Sequence, residues 1–172
     1  MLSEKMQAAL NDQLNMELGA YYVYLSMAAH LETKGMSGFS SWMYTHAEEE
    51  MTHAMKFYSF IHRRRGKVIL QQVDAPTIEW STLLDVFEDA LGHEEAVTAS
   101  IGKMVTMARA EGDHATDSFL QWFVDEQVEE EELVDGVIQK LKLIGDSGSA
   151  LYMLDQEMAA ETAAEGGAEE EA

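Results

Sequence analysis

Residues 39–60 read FSSWMYTHAEEEMTHAMKFYSF. Taken in steps of three and four, the stretch yields one stripe: Phe39, Met43, His46, Glu50, His53, Phe57 and Phe60. That spacing places all seven side chains on one face of a helix, and the apolar members mark it as the buried face. The middle of the stripe breaks the rule. A carboxylate and two imidazoles stand where a core helix would carry Leu or Ile.

The same interruption recurs three times. Upstream, Leu10, Leu14, Glu17, Tyr21, Tyr24, Ala28 and Leu31 form a stripe. Downstream come Leu84, Phe87, Leu91, Glu94, Thr98, Ile101, Val105 and Ala108, then Leu120, Phe123, Gln127, Glu130, Val134, Val137, Leu141 and Ile144. An ionised carboxylate on a buried seam is costly unless a cation meets it. Side by side, the four helices gather Glu17, Glu50, Glu94, Glu130, His53 and Gln127 in one layer. Four negative charges are neutralised by two divalent cations. Oxygen donors with one imidazole suit hard or borderline ions such as Fe(II), and zinc and manganese as well.

Composition agrees. The 172 residues carry a net charge of −21, which excludes nucleic acid and anionic membrane as partners and suits cations. With no cysteine, disulfides, thiolate catalysis and iron–sulfur ligation are excluded. No apolar run approaches the roughly 20 residues of a membrane span. The first residues already read as amphipathic helix without a signal-peptide core, so the expected location is cytoplasmic.

The expected fold is all-α. Helices run from about Ser3 to Thr33, Ser37 to the basic cluster Arg63-Arg64-Arg65 before Gly66, Ser81 to Ala110, and His114 to Ile144. Short first and third connections make antiparallel neighbours. The long middle connection, about 15 residues, can reach about 50 Å, more than the roughly 39 Å of a 26-residue helix. It can cross the whole bundle, giving a four-helix bundle with up-down-down-up topology and one long crossover. A short fifth helix, Ala150 to Ala160, carries Leu151, Leu154 and Met158 and must dock on the bundle or on a neighbouring subunit. The domain spans 1–160, and 161–172, made only of Glu, Ala, Gly and Thr, is expected to be a disordered acidic tail.

An isolated E-x-x-H motif is common on solvated helix surfaces, but here both residues lie on the seam. Glu17, the run Glu49-Glu50-Met51-Thr52-His53, Glu94, and Glu126-Gln127-Val128-Glu129-Glu130 resemble the ferroxidase motifs of non-haem prokaryotic ferritins, from the first helix through Leu151-Tyr152. In the generic ferritin-like di-iron pattern two helices each supply E-x-x-H. This chain has that pair once, and Gln127-x-x-Glu130 replaces it on the fourth helix.

The resemblance implies that Glu17, Glu50 and His53 hold one iron, and that Glu50 bridges to a second held with Glu94 and Glu130. Gln127 would hydrogen-bond near the oxygen-binding face. Glu49, Glu126 and Glu129 match a third iron site, and Tyr24 matches a tyrosine beside the di-iron centre. His46 would relay protons, guide iron or be structural. The implied activity is a ferroxidase: Fe(II) is oxidised by dioxygen or peroxide and stored as Fe(III) mineral in a hollow homo-oligomeric shell of about 24 subunits. The fifth helix would close the four-fold axes. Asp117 is a candidate for a three-fold channel, and Leu120 stands where animal ferritins carry a second acid. Two other readings stay open. Met51 matches the haem-ligating methionine of bacterioferritins, although the Gln127/Glu130 pair argues against haem. A di-iron oxidase or oxygenase would need a substrate pocket beside the metals.

Overall fold

A computed structural model describes residues 2–145 and 147–169, with side chains followed to residue 163. Five helices make up its regular structure: α1 Glu4–Thr33, α2 Ser37–Arg63, α3 Leu83–Glu111, α4 His114–Ile144 and α5 Gly148–Glu169. The chain is all-α, a four-helix bundle with a C-terminal helix. Ser3 caps α1 by accepting from the Met6 amide. Thr82 and Asp85 form a capping box that starts α3 at Leu83, two residues later than the sequence reading places it.

α2 ends at Arg63, the first residue of the basic cluster, and the left-handed residue after it is Arg65 (φ 59°), not Gly66. Crowding explains the choice. A Cβ on Gly66 would meet Gln7 Oε1 and Ile61 Cγ2 at 3.0 Å and Leu2 Cδ1 at 3.1 Å. The glycine is needed for close approach, so the turn's positive φ falls on its neighbour. The Gly66 amide then bonds Ile61 O and the Arg65 amide bonds His62 O, both at 2.9 Å, which satisfies the last carbonyls of α2.

The crossover from 67 to 80 lies along α1 and travels in the same direction. Side-chain amides one turn apart on the helix, Gln7, Asn11 and Asn15, bond its backbone at every second residue. Lys67 N donates to Gln7 Oε1 (2.8 Å), Ile69 N to Asn11 Oδ1 (2.6 Å) and Gln71 N to Asn15 Oδ1 (2.7 Å). Asn11 and Asn15 return bonds to Lys67 O and Ile69 O. The match is metric: four helical residues rise about 6 Å and two extended residues about 6.6 Å. Further along, Ser26 donates to Thr77 O, and His30 meets the Trp80 ring edge-on. The crossover thus ends at the C-terminal end of α1, where α2 also begins. α3 therefore runs parallel to α2, giving the expected up-down-down-up order.

The core divides in two. One cluster holds Tyr24, Met27, Leu31, Phe39, Met43, Phe87, Val134 and Leu141, and the other holds Leu10, Leu14, Phe57, Ile61, Ile101, Leu120 and Phe123. Between them lies a layer of polar residues. The stripes of α2 and α4 are buried as expected, apart from partly buried Ile144. On α3 the seam passes through Ala90 and Val97; Leu91 is only partly buried, and Thr98 is exposed and donates to Glu131 (2.5 Å). A helical period of 3.6 permits steps of three or four, and packing selects three here.

α5 is longer than the expected Ala150–Ala160, and the boundary drawn at 161 falls inside it; residues 170–172 lie outside the described residues. It docks on its own bundle through Leu154 and Met158. Met36, the residue before α2, gives no side-chain cap. Asp155 of α5 supplies one instead, accepting from the Phe39 amide at 3.0 Å. The approach is so close that a Cβ on Gly38 would lie 1.7 Å from Asp155 O. No helix among the described residues is long and apolar enough to cross a membrane.

Candidate metal centre

The layer between the two core clusters contains Glu17, Glu50, His53, Glu94, Gln127 and Glu130, all buried. Each sits at mid-helix, and above and below the layer the seams return to apolar residues. No lysine or arginine pairs with the four carboxylates among the described residues. The basic side chains meet acids elsewhere, as in Arg64–Asp113 (2.9 Å) and Arg109–Asp117 (3.2 Å).

Protein donors satisfy these carboxylates unequally. Glu94 is fully engaged: the Tyr24 hydroxyl donates to Oε1, and Gln127 Nε2 donates to Oε2 at 3.0 Å. Glu17 receives one bond, from Gln13 Nε2 to Oε1 at 2.9 Å, and its Oε2 is left without a partner. Glu50 Oε2 and Glu130 Oε2 are also buried and unpartnered. Orphaned acceptors of this kind are rare in folded proteins and each demands an explanation. Here there are three in one layer: Glu17 and Glu50 group with His53, and Glu130 groups with His53 and Glu126 or with His46 and Glu49.

The ligand atoms fall into three groups, each within 4.8 Å: Glu17, Glu50 and His53; His46, Glu49 and Glu130; and His53, Glu126 and Glu130. The first is the set expected for one iron. His53 faces Glu50 Oε2 across 3.7 Å with Nδ1 and Glu126 Oε1 across 3.6 Å with Nε2. The set expected for the second iron is distributed differently. Glu130 groups with His46 and Glu49 and with His53 and Glu126, while Glu94 is turned to Tyr24 and Gln127. Of the residues expected at a third site, Glu49 and Glu126 lie at the edge of the layer, partly exposed, and Glu129 is exposed. Leu120 is wholly buried in the core. Asp117 accepts from Arg109 and from Gln121 Nε2 at 3.0 Å.

Burial and mutual repulsion set the protonation states. Glu17 is held well above the carboxylate range by burial and then by Glu50. Glu50 is raised by burial and then by Glu94. Glu130 is pushed up to about 9 by burial, then by Glu94 and Glu49. Tyr24 is raised by burial and by Glu94 and stays a phenol. His46 is lowered to about 4, chiefly by burial, and is neutral. Such carboxyls hold protons until a cation displaces them, so binding of a divalent ion is coupled to proton release.

Sequence reading missed Gln13. It is fully buried one turn before Glu17 and is the only described donor to that carboxylate. Its signal was available: an amide four residues before a seam carboxylate, among Leu10, Leu14 and Glu17.

The sequence matches the family described as Ferritin-like domain over residues 7–144. It is 40% identical over 162 residues to a bacterial non-heme ferritin of Staphylococcus aureus, covering 94% of this chain and 98% of that one. With the Staphylococcus epidermidis protein of the same name it shares 41% identity over 160 residues, 93% and 96% of the two chains. Its fold superposes with a TM-score of 0.91 on the open-pore ferritin of the hyperthermophilic archaeon Archaeoglobus fulgidus, at 46% identity and covering 92% and 98% of the two chains. A humanized archaeal ferritin gives the same score at 45% identity, covering 92% and 96%. The chain belongs to the ferritin family, among the non-haem ferritins of bacteria and archaea.

Proposed function

We propose that this protein stores iron by oxidising Fe(II) with dioxygen or peroxide in the buried layer and passing Fe(III) to a mineral inside a closed shell built from its own copies, about 24 as the likeness to ferritins implies. Fe(II) is the substrate. The observation that carries the reading is the set of three unpartnered carboxylate oxygens, on Glu17, Glu50 and Glu130, in a layer where no lysine or arginine among the described residues pairs with them.

Glu17, Glu50 and His53 take the first ion. His53 offers a ring nitrogen, and the carboxyls release their protons as the cation arrives. Glu50, with Glu94 and Glu130, takes the second. For that, Glu94 gives up a hydrogen bond from Tyr24 or Gln127, so the second ion is bound against a local restraint and the first is not. Dioxygen accepts two electrons, one from each Fe(II), and two ferrous ions must be bound together to supply them. Tyr24, hydrogen-bonded to Glu94, is placed to donate an electron or a proton beside that ion, and Gln127 holds the opposite Glu94 oxygen. Glu49, Glu126 and Glu129 form the route or third site between this layer and the surface.

The test is anaerobic Fe(II) titration of the metal-free assembly, then exposure to oxygen, with particle size recorded by light scattering. Saturable binding of at least two ions per chain, rapid ferric absorbance and a particle of several hundred kilodaltons are expected. Glu50→Ala and His53→Ala should remove the rapid phase while assembly survives, because the apolar seams are intact. Wild-type oxidation rates in Glu50→Ala would overturn the reading.

A further inference from the structure

We infer that Lys56 is a tethered counter-ion at the mouth of the buried layer, where its ammonium opposes metal ions at Glu49 and Glu126 and keeps the entrance weaker than the interior. The inference rests on the proposed reading of those two acids as the route between layer and surface. Each is the solvent-facing member of a buried group, Glu126 with His53 and Glu130, Glu49 with His46 and Glu130. Their side chains are 29% and 44% exposed, whereas Glu130 and both histidines are buried. Solvent reaches these groups past Glu126 and Glu49.

Helical repeat brings Lys56 to that opening. On α2, Glu49, His53 and Lys56 follow at steps of four and three and share one face. On α4, Trp122 and Glu126 lie one turn apart. Two rungs join these faces. His53 Nε2 lies 3.6 Å from Glu126 Oε1, and Lys56 Nζ lies 3.7 Å from the centre of the Trp122 ring. The same indole meets His53 edge-on, at 5.4 Å between centroids. It is partly exposed, so the ammonium rests at the boundary between solvent and the layer. Burial lowers the pKa of Lys56, and the charges of Glu126 and then Glu49 act against that shift, which sets the ammonium within the field of both acids.

The Trp122 ring attracts the ammonium through its quadrupole and leaves the charge uncancelled, as a bound carboxylate would not. That charge then repels an ion at Glu126 or Glu49. At a partly exposed site, one unit charge a few ångströms away is worth about tenfold in affinity. An entering ion is held loosely at the mouth and passes on to Glu17, Glu50 and His53, which are all buried. Without the charge, ions should lodge at the entrance.

The test uses terbium(III) on the metal-free, full-length assembly, read by luminescence excited through tryptophan. That signal reports ions beside an indole and not those elsewhere on the acidic surface. Lys56→Met keeps an apolar stem over Trp122 without the charge, Lys56→Gln is a second neutral variant, and Lys56→Arg keeps the charge. Both neutral variants should bind terbium about tenfold more tightly than wild type, the gain shrinking in high salt, and Lys56→Arg should match wild type. Adding Glu49→Gln and Glu126→Gln to Lys56→Met should erase the gain. A damaged fold loosens binding, so tighter binding separates charge from packing. Unchanged or weaker binding in both neutral variants, or a gain that survives the two Gln substitutions, would overturn the inference. If the gain appears but wild type does not oxidise Fe(II) on exposure to oxygen, the iron-oxidising reading fails and the role of Lys56 stands.

Discussion

Gln13 and Glu17 lie one turn apart on α1, both wholly buried, and the Gln13 amide holds Glu17 Oε1 at 2.9 Å, leaving Oε2 without a protein partner in the carboxylate that groups with Glu50 and His53. A neutral amide orients the carboxylate without cancelling its charge, which a lysine at the same position would do. Partners that orient a metal ligand are commonly worth about 10–100-fold in affinity or activity. Gln13→Leu keeps the volume and removes the donor. It should weaken the first Fe(II) equivalent by about tenfold in anaerobic titration, with the shell still assembled. An unchanged first equivalent would show that Glu17 needs no such support.

The buried carboxyls make the metal-free protein sensitive to alkali. Glu130 titrates near 9 when folded and in the ordinary carboxylate range when unfolded, and Glu17 and Glu50 are raised too. Between those values the folded chain holds protons that the unfolded chain has released, so stability falls as pH rises. His46 acts in the opposite sense: neutral when folded down to about 4, it loses stability as pH falls below about 6.5. Thermal midpoints measured in chelator should therefore drop from pH 6.5 to pH 9, a window His46 does not enter. Zinc should flatten or reverse the slope, because it binds the deprotonated acids.

The α5 helix reaches the bundle through the Phe39 amide and Asp155. Asp155→Ala removes an N-cap supplied by another helix and should cost about 1 kcal/mol. Gly38→Ala forces a methyl to within 1.7 Å of a backbone oxygen of α5, which cannot rotate aside. The helix must lift. Faster proteolysis within 148–163 is expected in that variant, with zinc binding at Glu17, Glu50 and His53 unchanged. Protection equal to wild type would mean that α5 is held from elsewhere.

Asn11 ties the crossover to α1 with two bonds, to Lys67 O and from Ile69 N. Asn11→Leu removes both bonds from a segment whose Lys67 and Ile69 are exposed, at about 0.5–1.5 kcal/mol each. Limited proteolysis should then cut between residues 67 and 72, and the thermal midpoint should fall by several degrees. If the segment stays protected, the flanking bonds of Gln7 and Asn15 suffice.

The bundle was legible because periodicity is a local property. Phe39 to Phe60 and Leu120 to Leu141 each declare a buried face, and the carboxylates that interrupt them mark one layer whatever the details of packing. Loop lengths then settled the directions of the helices. Gln7, Asn11 and Asn15 could have been read as a ladder from their spacing, but the same pattern describes any polar helix face. The left-handed position at Arg65 was hidden for a similar reason, since the need for Gly66 comes from Gln7 and Leu2, which sequence cannot place beside it.

From sequence alone one could say which side chains share the layer and that their charge requires cations, because helical repeat and burial cost are set by neighbours along the chain. Only the folded structure decided which oxygens remain bare. Tyr24 reaches Glu94 across 70 positions and Gln127 reaches it across 33, while Glu17, Glu50 and Glu130 are each left with one unpaired atom. A hydrogen bond depends on distances of tenths of an ångström between separate helices, and no repeat within one helix encodes them.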